Sequence, residues 1–296
     1  MIPPFITGLF SVLLIAVAFG VGATLVNLPA HSQSAAAVES RTIEVVIDPA
    51  TLRAKSALLY DVTSGEVLYQ KNGQAQLPLA SLTKLMSAQA VLAARPPGTV
   101  VRITARDLAP EGDWGLRAGD SVLLADLLKF GLVASSNDAM AAAAASLGGE
   151  YLTAMNRTAV SLGLIKTYFL NSTGLDVNDD TAGAYGSAFD VARMTAAFYK
   201  SYPTFFELST HPTVSITAGE RTLSAKATTV PLLDIPGFVG GKTGYTDLAG
   251  GNLSAIFDLD IGRPVVIVVL QSTEAGRFED VRTIIESART AQQQTQ

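Results

Sequence analysis

The chain has 296 residues, and its 21 Lys and Arg against 26 Asp and Glu give a formal net charge of −5. Hydrophobic residues make up 48% of it and charged residues 16%, which excludes a disordered chain and allows a sizeable buried core. No cysteine is present, so disulfides, iron–sulfur clusters and a cysteine nucleophile are excluded, and the lack of a basic run argues against nucleic acid as a partner.

The N-terminal 37 residues predict export from the cytoplasm. An almost wholly apolar segment begins at Phe5 and ends at Leu28, and a small and polar stretch with an Ala-x-Ala-like site around residues 35–37 follows it. Two interpretations stay open: a cleaved signal peptide, or an uncleaved anchor, since the segment is long enough to span a bilayer and no Lys or Arg precedes it. Either one places the remaining chain outside the cytoplasm, in the periplasm or on the outer face of the cytoplasmic membrane.

Hydrophobic periodicity and turn signals predict strands, then helices, then strands again along the remaining chain. The first strands are predicted at residues 42–47, 56–61 and 66–70, the last two as a hairpin around the turn Thr63-Ser-Gly65. Helices are predicted from Ser81 to the stop at Pro96-Pro-Gly98, and at residues 123–133, 138–147, 151–164 and 188–201. Strands follow at residues 221–225, 243–248, 253–257 and 265–270, with a last helix at 278–291. This segregation predicts an α+β core with a helical subdomain inserted between two halves of a sheet.

The first candidate motif is Ser81-Leu-Thr-Lys84, at the start of a predicted helix. Residues three apart face the same way on a helix, so the Lys84 amine can reach the Ser81 hydroxyl and act as the base that a serine nucleophile needs. A serine at a helix N-terminus also lies beside free backbone N–H groups that can bind an oxyanion. Alone, the pattern is more often a capping serine followed by a solvated lysine.

The second candidate motif is Ser135-Ser-Asn137, between two predicted helices. Taken alone, it is typical of a helix end and of the cap of the next helix. A catalytic site would use the hydroxyl to relay a proton and the amide to bind a substrate carbonyl.

The third candidate motif is Gly240-Gly-Lys242-Thr243-Gly244, which leads into the strand predicted at residues 243–248. Taken alone, it is typical of a glycine-rich turn with a solvated lysine, although Lys242 and Thr243 could bind a carboxylate by charge-assisted hydrogen bonds. The Gly-Lys-Thr triplet also occurs in phosphate-binding loops. That motif needs glycine at the place of Pro236 and a helix after the threonine, so a nucleotide site is disfavoured.

Other catalytic arrangements lack the residues they need. Beyond residue 37 the sequence has one histidine, His211, with no carboxylate motif nearby, which indicates a surface turn and excludes a histidine zinc cluster. The Asp and Glu residues are scattered, which gives no local support for a carboxylate-pair hydrolase.

The order S-x-x-K, S-x-N, K-T-G is close to that of penicillin-binding proteins and class A β-lactamases. The sequence resembles in particular the low-molecular-mass penicillin-binding proteins, the serine-type D-alanyl-D-alanine carboxypeptidases. The segments that carry the likeness, within about residues 42–290, are 80–86, 127–139, 155–156, 162–163, 169–175 and 241–250, together with Arg277. The resemblance implies an α+β fold of the β-lactamase/DD-transpeptidase type, in which an antiparallel sheet is flanked by helices and carries an inserted all-helical subdomain.

The resemblance also implies roles for the candidate residues. Ser81 would be the nucleophile, Lys84 its general base and Ser135 a proton relay. The expected substrate-binding residues are Asn137 at the amide, Lys242, Thr243 and Arg277 around the terminal carboxylate, and Gly244 and Tyr245 beside them. The backbone N–H groups of Ser81 and Tyr245 would form the oxyanion hole. Close placement of Lys84 and Lys242 would lower the pKa of each amine and favour a neutral base.

The implied reaction removes the terminal D-Ala from a peptidoglycan stem peptide through an acyl-enzyme on Ser81, which β-lactams would also acylate. No cofactor or metal is implied. We therefore divide the chain into residues 1–37, a signal peptide or anchor, and residues 38–296, a catalytic domain. Many family members carry a further all-β domain and a C-terminal amphipathic anchor. We expect neither here, so any membrane contact would rest on residues 5–28.

Three alternatives to the carboxypeptidase stay open. A class A β-lactamase would need a Glu in an E-x-x-L-N sequence, and the candidate Glu150 has the wrong spacing. A D,D-endopeptidase of the same superfamily would carry the same motifs, since these do not set the length of the substrate. A non-catalytic wall-binding protein would keep the pocket, although the intact Ser81 and Lys84 argue against it.

Overall fold

The computed structural model describes residues 45–112 and 114–295. The apolar segment at residues 5–28 and the predicted cleavage region after it lie outside the described residues. Within the described ranges, no helix is both long enough and apolar enough to cross a membrane. The division of the chain at residue 37 stays a prediction.

The chain opens with strands, is mainly helical in its middle, and closes with strands and a helix. The strands are β1 (Ser56–Asp61), β2 (Val67–Lys71), β3 (Leu77–Pro78), β4 (Val100–Arg102), β5 (Ser121–Leu123), β6 (Tyr168–Phe169), β7 (Ala184–Gly186), β8 (Thr213–Ala218), β9 (Arg221–Lys226), β10 (Phe238–Thr246), β11 (Gly250–Asp260) and β12 (Arg263–Ser272). The helices are α1 (Thr83–Ala94), α2 (Leu124–Val133), α3 (Asn137–Ala145), α4 (Tyr151–Ser161), α5 (Ala188–Ser201), α6 (Pro203–Glu207) and α7 (Gly276–Thr295). Short 3₁₀ turns lie at Pro49–Thr51, Ala80–Leu82, Gly148–Glu150, Leu208–Thr210 and Val230–Leu232.

A five-stranded antiparallel sheet joins the early and late parts of the chain, in the order β10-β11-β12-β1-β2. β12 is apolar and buried at every position from 265 to 270, because both faces of the sheet are covered. Val266 and Val268 belong to one core together with residues of α1 and α5, whereas Val265 and Ile267 belong to a second core with α7. The sheet is therefore the middle layer of an α+β fold.

The helical subdomain is inserted between β2 and β10, which confirms the predicted architecture. Within it, α2 and α3 pack closely because Gly131 has no side chain, and a Cβ there would lie 2.7 Å from Met140 Cε. Three small antiparallel pieces also lie in this insertion: β4–β5, β8–β9 and β3-β7-β6. Of these strands the sequence predicted only residues 221–225. The strands of two or three residues are too short to show a periodicity, whereas the six-residue strand β8 alternates and was missed.

The strand predicted at residues 42–47 is wrong for the part that the structure describes. Residues 45–48 form no strand. Val45 and Ile47 are buried in the core beside α7 and Val46 between them is exposed, so the alternation reflects burial without a pairing partner. Asp48 then accepts a hydrogen bond from the backbone of Ala50 and starts a 3₁₀ turn.

The glycine-rich motif lies inside β10 rather than in a turn before a strand. β10 begins at Phe238, and Gly240 and Gly241 pair with β11. The glycines permit close contacts, since a Cβ on Gly240 would lie 2.7 Å from the Phe206 ring and one on Gly241 would lie 2.9 Å from the Ser254 carbonyl oxygen. The missing side chains thus let α6 and β11 approach β10 at the start of the motif.

Candidate active site

Ser81 lies in the tight 3₁₀ turn that leads into α1. The residue before it, Ala80, has a positive φ of 48°, which is a strained backbone for a residue with a side chain. The Ala80 carbonyl accepts a hydrogen bond of 2.7 Å from Thr83 Oγ1 and faces Gly174, where a Cβ would overlap it. The turn leaves Ser81 half-buried at the N-terminus of the helix.

Lys84 is fully buried one helical turn after Ser81. Its Nζ lies 2.6 Å from Ser81 Oγ, 2.7 Å from Asn137 Oδ1 and 3.0 Å from the carbonyl oxygen of Thr173. Burial lowers the pKa of Lys84 to about 7, because the charged amine loses its hydration in the interior. The contact predicted between Ser81 and Lys84 is present.

The three contacts of Lys84 fit a neutral amine. Asn137 Oδ1 and the Thr173 carbonyl can only accept hydrogen bonds, so they take the two N–H groups of a neutral amine. In a neutral amine the remaining position is a lone pair, which at this distance of 2.6 Å can accept the proton of the Ser81 hydroxyl. The amine can therefore take the hydroxyl proton directly.

Ser135 and Asn137 lie on either side of the residue that caps α3. The cap is Ser136, whose hydroxyl accepts a backbone hydrogen bond from the first turn. Ser135 has a φ of 63°, and its Oγ lies 2.7 Å from Lys242 Nζ, whereas Asn137 contacts Lys84. The segment therefore both caps a helix and contributes to the site, although the sequence presented these as alternatives.

Lys242 is the second buried amine of the site. Its Nζ lies 2.7 Å from Ser135 Oγ and 2.7 Å from the carbonyl oxygen of Thr243. Burial lowers the pKa of Lys242 well below its usual value, and the neighbouring charges of Lys84 and Arg277 lower it further. The expected repulsion between the two amines thus lowers the pKa of Lys242, whereas burial is the cause at Lys84.

The free edge of β10 presents backbone groups to Ser81. The N–H of Gly241 donates to Ser209 Oγ at 2.8 Å, on the side away from β11. Alternate residues of a strand direct their backbone groups to the same edge, so the N–H of Tyr245 also points outward. A Cβ on Gly244 would lie only 3.1 Å from the Ser81 nitrogen, so this part of the strand is next to the serine turn. The N–H groups of Ser81 and Tyr245 can therefore converge on one oxygen atom.

Arg277 lies in the first turn of α7 and is buried beneath β10. Its Nη1 donates to the Gly244 carbonyl at 2.8 Å. Its Nε is buried and has no hydrogen-bond partner among the described residues. Arg277 therefore places a guanidinium beside the part of β10 that faces the serine. The buried Lys242 and Thr243 add an amine and a hydroxyl as hydrogen-bond donors there.

Sequence reasoning missed the parts of the site that act through backbone atoms. The Thr173 carbonyl binds Lys84, and the Glu111 carbonyl accepts a hydrogen bond of 2.6 Å from Asn137 Nδ2. A backbone carbonyl carries no residue-type signal, so neither could be read from the sequence. A cavity of 720 Å³ opens beside the site and is lined by Glu111, Asp176, Tyr245 and neighbouring residues.

Comparisons with known proteins agree with this class of fold. The family model of D-alanyl-D-alanine carboxypeptidases, peptidase S11, matches residues 43–274, and the chain belongs to this family. It is 31% identical to the D-alanyl-D-alanine carboxypeptidase DacF of Bacillus subtilis over 244 residues, 79% of this chain and 62% of that protein. It is 32% identical to a D-alanyl-D-alanine endopeptidase of Pseudomonas aeruginosa over 231 residues, 75% of this chain and 72% of that protein.

A solved structure of a related protein shares the fold. Penicillin-binding protein D2 from Listeria monocytogenes, in its ampicillin-bound form, superposes with a TM-score of 0.68 at 27% identity, over 80% of this chain and 97% of that one. The chain spans 62% of the length of DacF.

Proposed function

We propose that the protein is a serine D-alanyl-D-alanine carboxypeptidase that removes the terminal D-Ala from peptidoglycan stem peptides. The observation that carries this proposal is the distance of 2.6 Å between Lys84 Nζ and Ser81 Oγ, at an amine whose pKa burial lowers to about 7. An amine in that state can remove the serine proton near neutral pH.

In the proposed acylation step, Lys84 takes the proton of Ser81 as Oγ attacks the carbonyl of the penultimate D-Ala. The developing oxyanion is bound by the N–H groups of Ser81 and Tyr245. That proton then passes from Lys84 to the leaving amine of the terminal D-Ala by way of Ser135, which is bonded to Lys242, so that Lys84 becomes neutral again. Water then hydrolyses the acyl-enzyme, with a neutral Lys84 as its base.

The free carboxylate of the substrate distinguishes a carboxypeptidase from a general peptidase. We propose that Lys242, Thr243 and Arg277 bind it, since they offer an amine, a hydroxyl and a guanidinium at one face of the site. The unpartnered Nε of Arg277 is the kind of buried donor that such a carboxylate stabilises, because an unpaired buried N–H costs roughly 1–3 kcal/mol.

The same serine would be acylated by β-lactams, as the ampicillin-bound relative suggests. The substrate is a cell-wall peptide, so we propose an extracytoplasmic location. Residues 5–28 would supply any membrane contact if they are not cleaved.

A D,D-endopeptidase that cuts peptide cross-links is the second candidate function. The observation behind it is that the chain is 32% identical to the endopeptidase relative and 31% identical to the carboxypeptidase DacF. Both enzymes would use the same serine and lysine, so the active site does not separate them.

Purified residues 38–296 are expected to release D-alanine from a pentapeptide that ends in D-Ala-D-Ala. A fluorescent penicillin is expected to label the wild-type protein but not Ser81→Ala, with circular dichroism confirming that the variant is folded. Labelling that persists in Ser81→Ala means that the nucleophile is a different residue. Consumption of a cross-linked muropeptide dimer without release of D-alanine from the pentapeptide would favour the endopeptidase.

A further inference from the structure

We propose that Asp176 is a positioning residue that fixes the oxyanion-binding end of β10. This inference rests on the proposed function, because it concerns the same acylation step. The Asp176 carboxylate accepts a hydrogen bond of 2.9 Å from Thr246 Oγ1 and one of 3.3 Å from the backbone N–H of Leu248. It thereby ties the loop after β6 to the turn that directly follows Tyr245.

The end of β10 is weakly held by packing. Tyr245 is 49% exposed, and within residues 45–112 and 114–295 β10 pairs only with β11, on one side. Within the turn, Thr246 Oγ1 accepts a hydrogen bond of 3.2 Å from the N–H of Ala249, and Gln271 Nε2 donates to the Leu248 carbonyl at 3.3 Å. Asp176 supplies the contact from the side of the serine, and it binds the hydroxyl that organises the turn.

The segment that carries Asp176 also contacts the other reacting parts of the site. Asn171 Oδ1 accepts hydrogen bonds of 3.2 Å from Thr173 N and 2.7 Å from Gly174 N, which fixes the shape of the segment. Thr173 then accepts from the Lys84 amine, and Gly174 fits against the carbonyl of Ala80 in the serine turn. Asp176 extends this arrangement to β10, so that base, nucleophile and oxyanion donor are all positioned from one short segment.

The expected effect falls on the transition state more than on binding of the substrate. The oxyanion exists only once Oγ attacks, so a displaced Tyr245 N–H weakens a contact made in the transition state. The proposed carboxylate anchors, Lys242 and Arg277, have no bond to Asp176. Loss of an oxyanion donor costs about 10²–10³-fold in rate. A shifted donor costs less, and we expect Asp176→Ala to lower kcat for D-alanine release about tenfold with KM within about twofold.

A double-mutant cycle on Asp176 and Thr246 tests the proposal. Asp176→Ala and Thr246→Val are each expected to lower kcat and the rate constant of penicillin acylation, and the double variant is expected to lose no more than the worse single variant. Asp176→Asn keeps an acceptor for the Thr246 hydroxyl, so it should lower kcat less than Asp176→Ala does. Thr246→Ser keeps the donor, so it should lower kcat less than Thr246→Val does. Full additivity, or an unchanged kcat in Asp176→Ala, overturns the proposal.

A matched control separates positioning from a general effect on stability. Asp61 also fixes a turn with its carboxylate, by accepting from Thr63 N at 2.8 Å and Ser64 N at 3.0 Å, but it lies in the β1–β2 hairpin, away from the site. Asp61→Asn is expected to lower the melting temperature and leave kcat unchanged. If Asp176→Ala and Asp176→Asn both raise the acylation rate equally, the carboxylate acts only through its charge, and the proposal is wrong.

The readouts also separate this proposal from the proposed function. A wild-type protein that is acylated by penicillin but releases no D-alanine contradicts the carboxypeptidase, while the cycle on acylation still decides the role of Asp176. A wild-type protein that does neither contradicts both proposals.

Discussion

At the scale of single residues, the chemistry of the site depends on which form of the Lys84 amine is present. Burial lowers the pKa of Lys84 to about 7, and the amine has no carboxylate among its three hydrogen-bond partners that would favour its charged form. A lysine of the ordinary kind, with a pKa near 10.5, would be almost entirely charged at neutral pH and could not accept the serine proton.

The rate of penicillin acylation is therefore expected to rise with pH and to reach half its plateau near pH 7. The sign follows from the base, since the neutral amine that accepts the proton is the form present above its pKa. Stopped-flow or gel measurement of labelling by a fluorescent penicillin between pH 5 and 9 gives the profile. A rate that is flat across this range, or that falls as pH rises, would rule out Lys84 as the base.

At the scale of elements, the site depends on how closely the loop that contains Gly174 approaches the serine turn. Gly174 has a φ of 82° and lies against the carbonyl of Ala80, so that any side chain would push the two segments apart. Gly148 also has a positive φ, 70°, but no atom lies within 4 Å of the place its Cβ would take. A side chain would thus strain the backbone at both glycines, but it would collide with a neighbouring segment only at Gly174.

Gly174→Ala is expected to destabilise the protein by more than Gly148→Ala and to slow acylation as well. Backbone strain alone costs roughly 1–2 kcal/mol for a side chain at positive φ, and this is the whole effect expected at Gly148. At Gly174 the displaced Ala80 also moves Ser81 away from Lys84. Urea unfolding and the acylation rate of both variants provide the comparison. Equal losses of stability, with no change in acylation, would show that the close contact with Ala80 is unimportant.

Elements with a long apolar pattern were predictable from the sequence, and those that depend on pairing partners were not. The helices α1, α2 and α5 and the strand β12 follow from periodicity to within about two residues at each boundary. The start of β10 was misplaced because glycines usually mark turns, whereas here they permit close packing in a strand. The strand predicted at residues 42–47 was wrong in its described part for the opposite reason. Residues 45–47 have the alternating pattern of a strand, but Val45 and Ile47 are buried without a partner strand.

The candidate site was predictable only where side chains carry the chemistry. Ser81, Lys84, Ser135, Asn137, Lys242 and Arg277 form motifs that could be recognised, and the structure brings them together. The carbonyl of Thr173 and the turn contact of Asp176 depend on the path of the chain through space. No residue pattern records that path.

At the scale of the whole molecule, the site exists because the sheet joins the early and late parts of the chain. β1 pairs with β12, and α7, which follows β12, brings Arg277 to the Gly244 carbonyl of β10. The start of the insertion brings Ser81 and Lys84 to the free edge of the same sheet. Two buried lysines at this junction oppose folding, because each loses hydration in a region with other positive charges.

This opposition is expected to make the stability of the protein rise with pH above neutrality. Lys84 has a folded pKa of about 7 and an ordinary unfolded value of 10.5, so between these values the unfolded chain binds more protons than the folded one. The free energy of unfolding therefore rises with pH across that window, while below about pH 7 the penalty is fully present and constant. Lys84→Met removes the group, so the stability of the wild type minus that of the variant should rise from pH 7 towards 10.

Lys242 also makes the free energy of unfolding of the wild type, minus that of Lys84→Met, rise with pH. In Lys84→Met it loses one neighbouring charge, which moves its own pKa back towards the usual value and weakens the pH dependence of the variant. Urea unfolding of both proteins at pH 7, 8, 9 and 10, at one ionic strength, measures the difference. A difference that stays constant over this range would mean that Lys84 keeps an ordinary pKa in the folded protein, and the proposed base would then lack its neutral form.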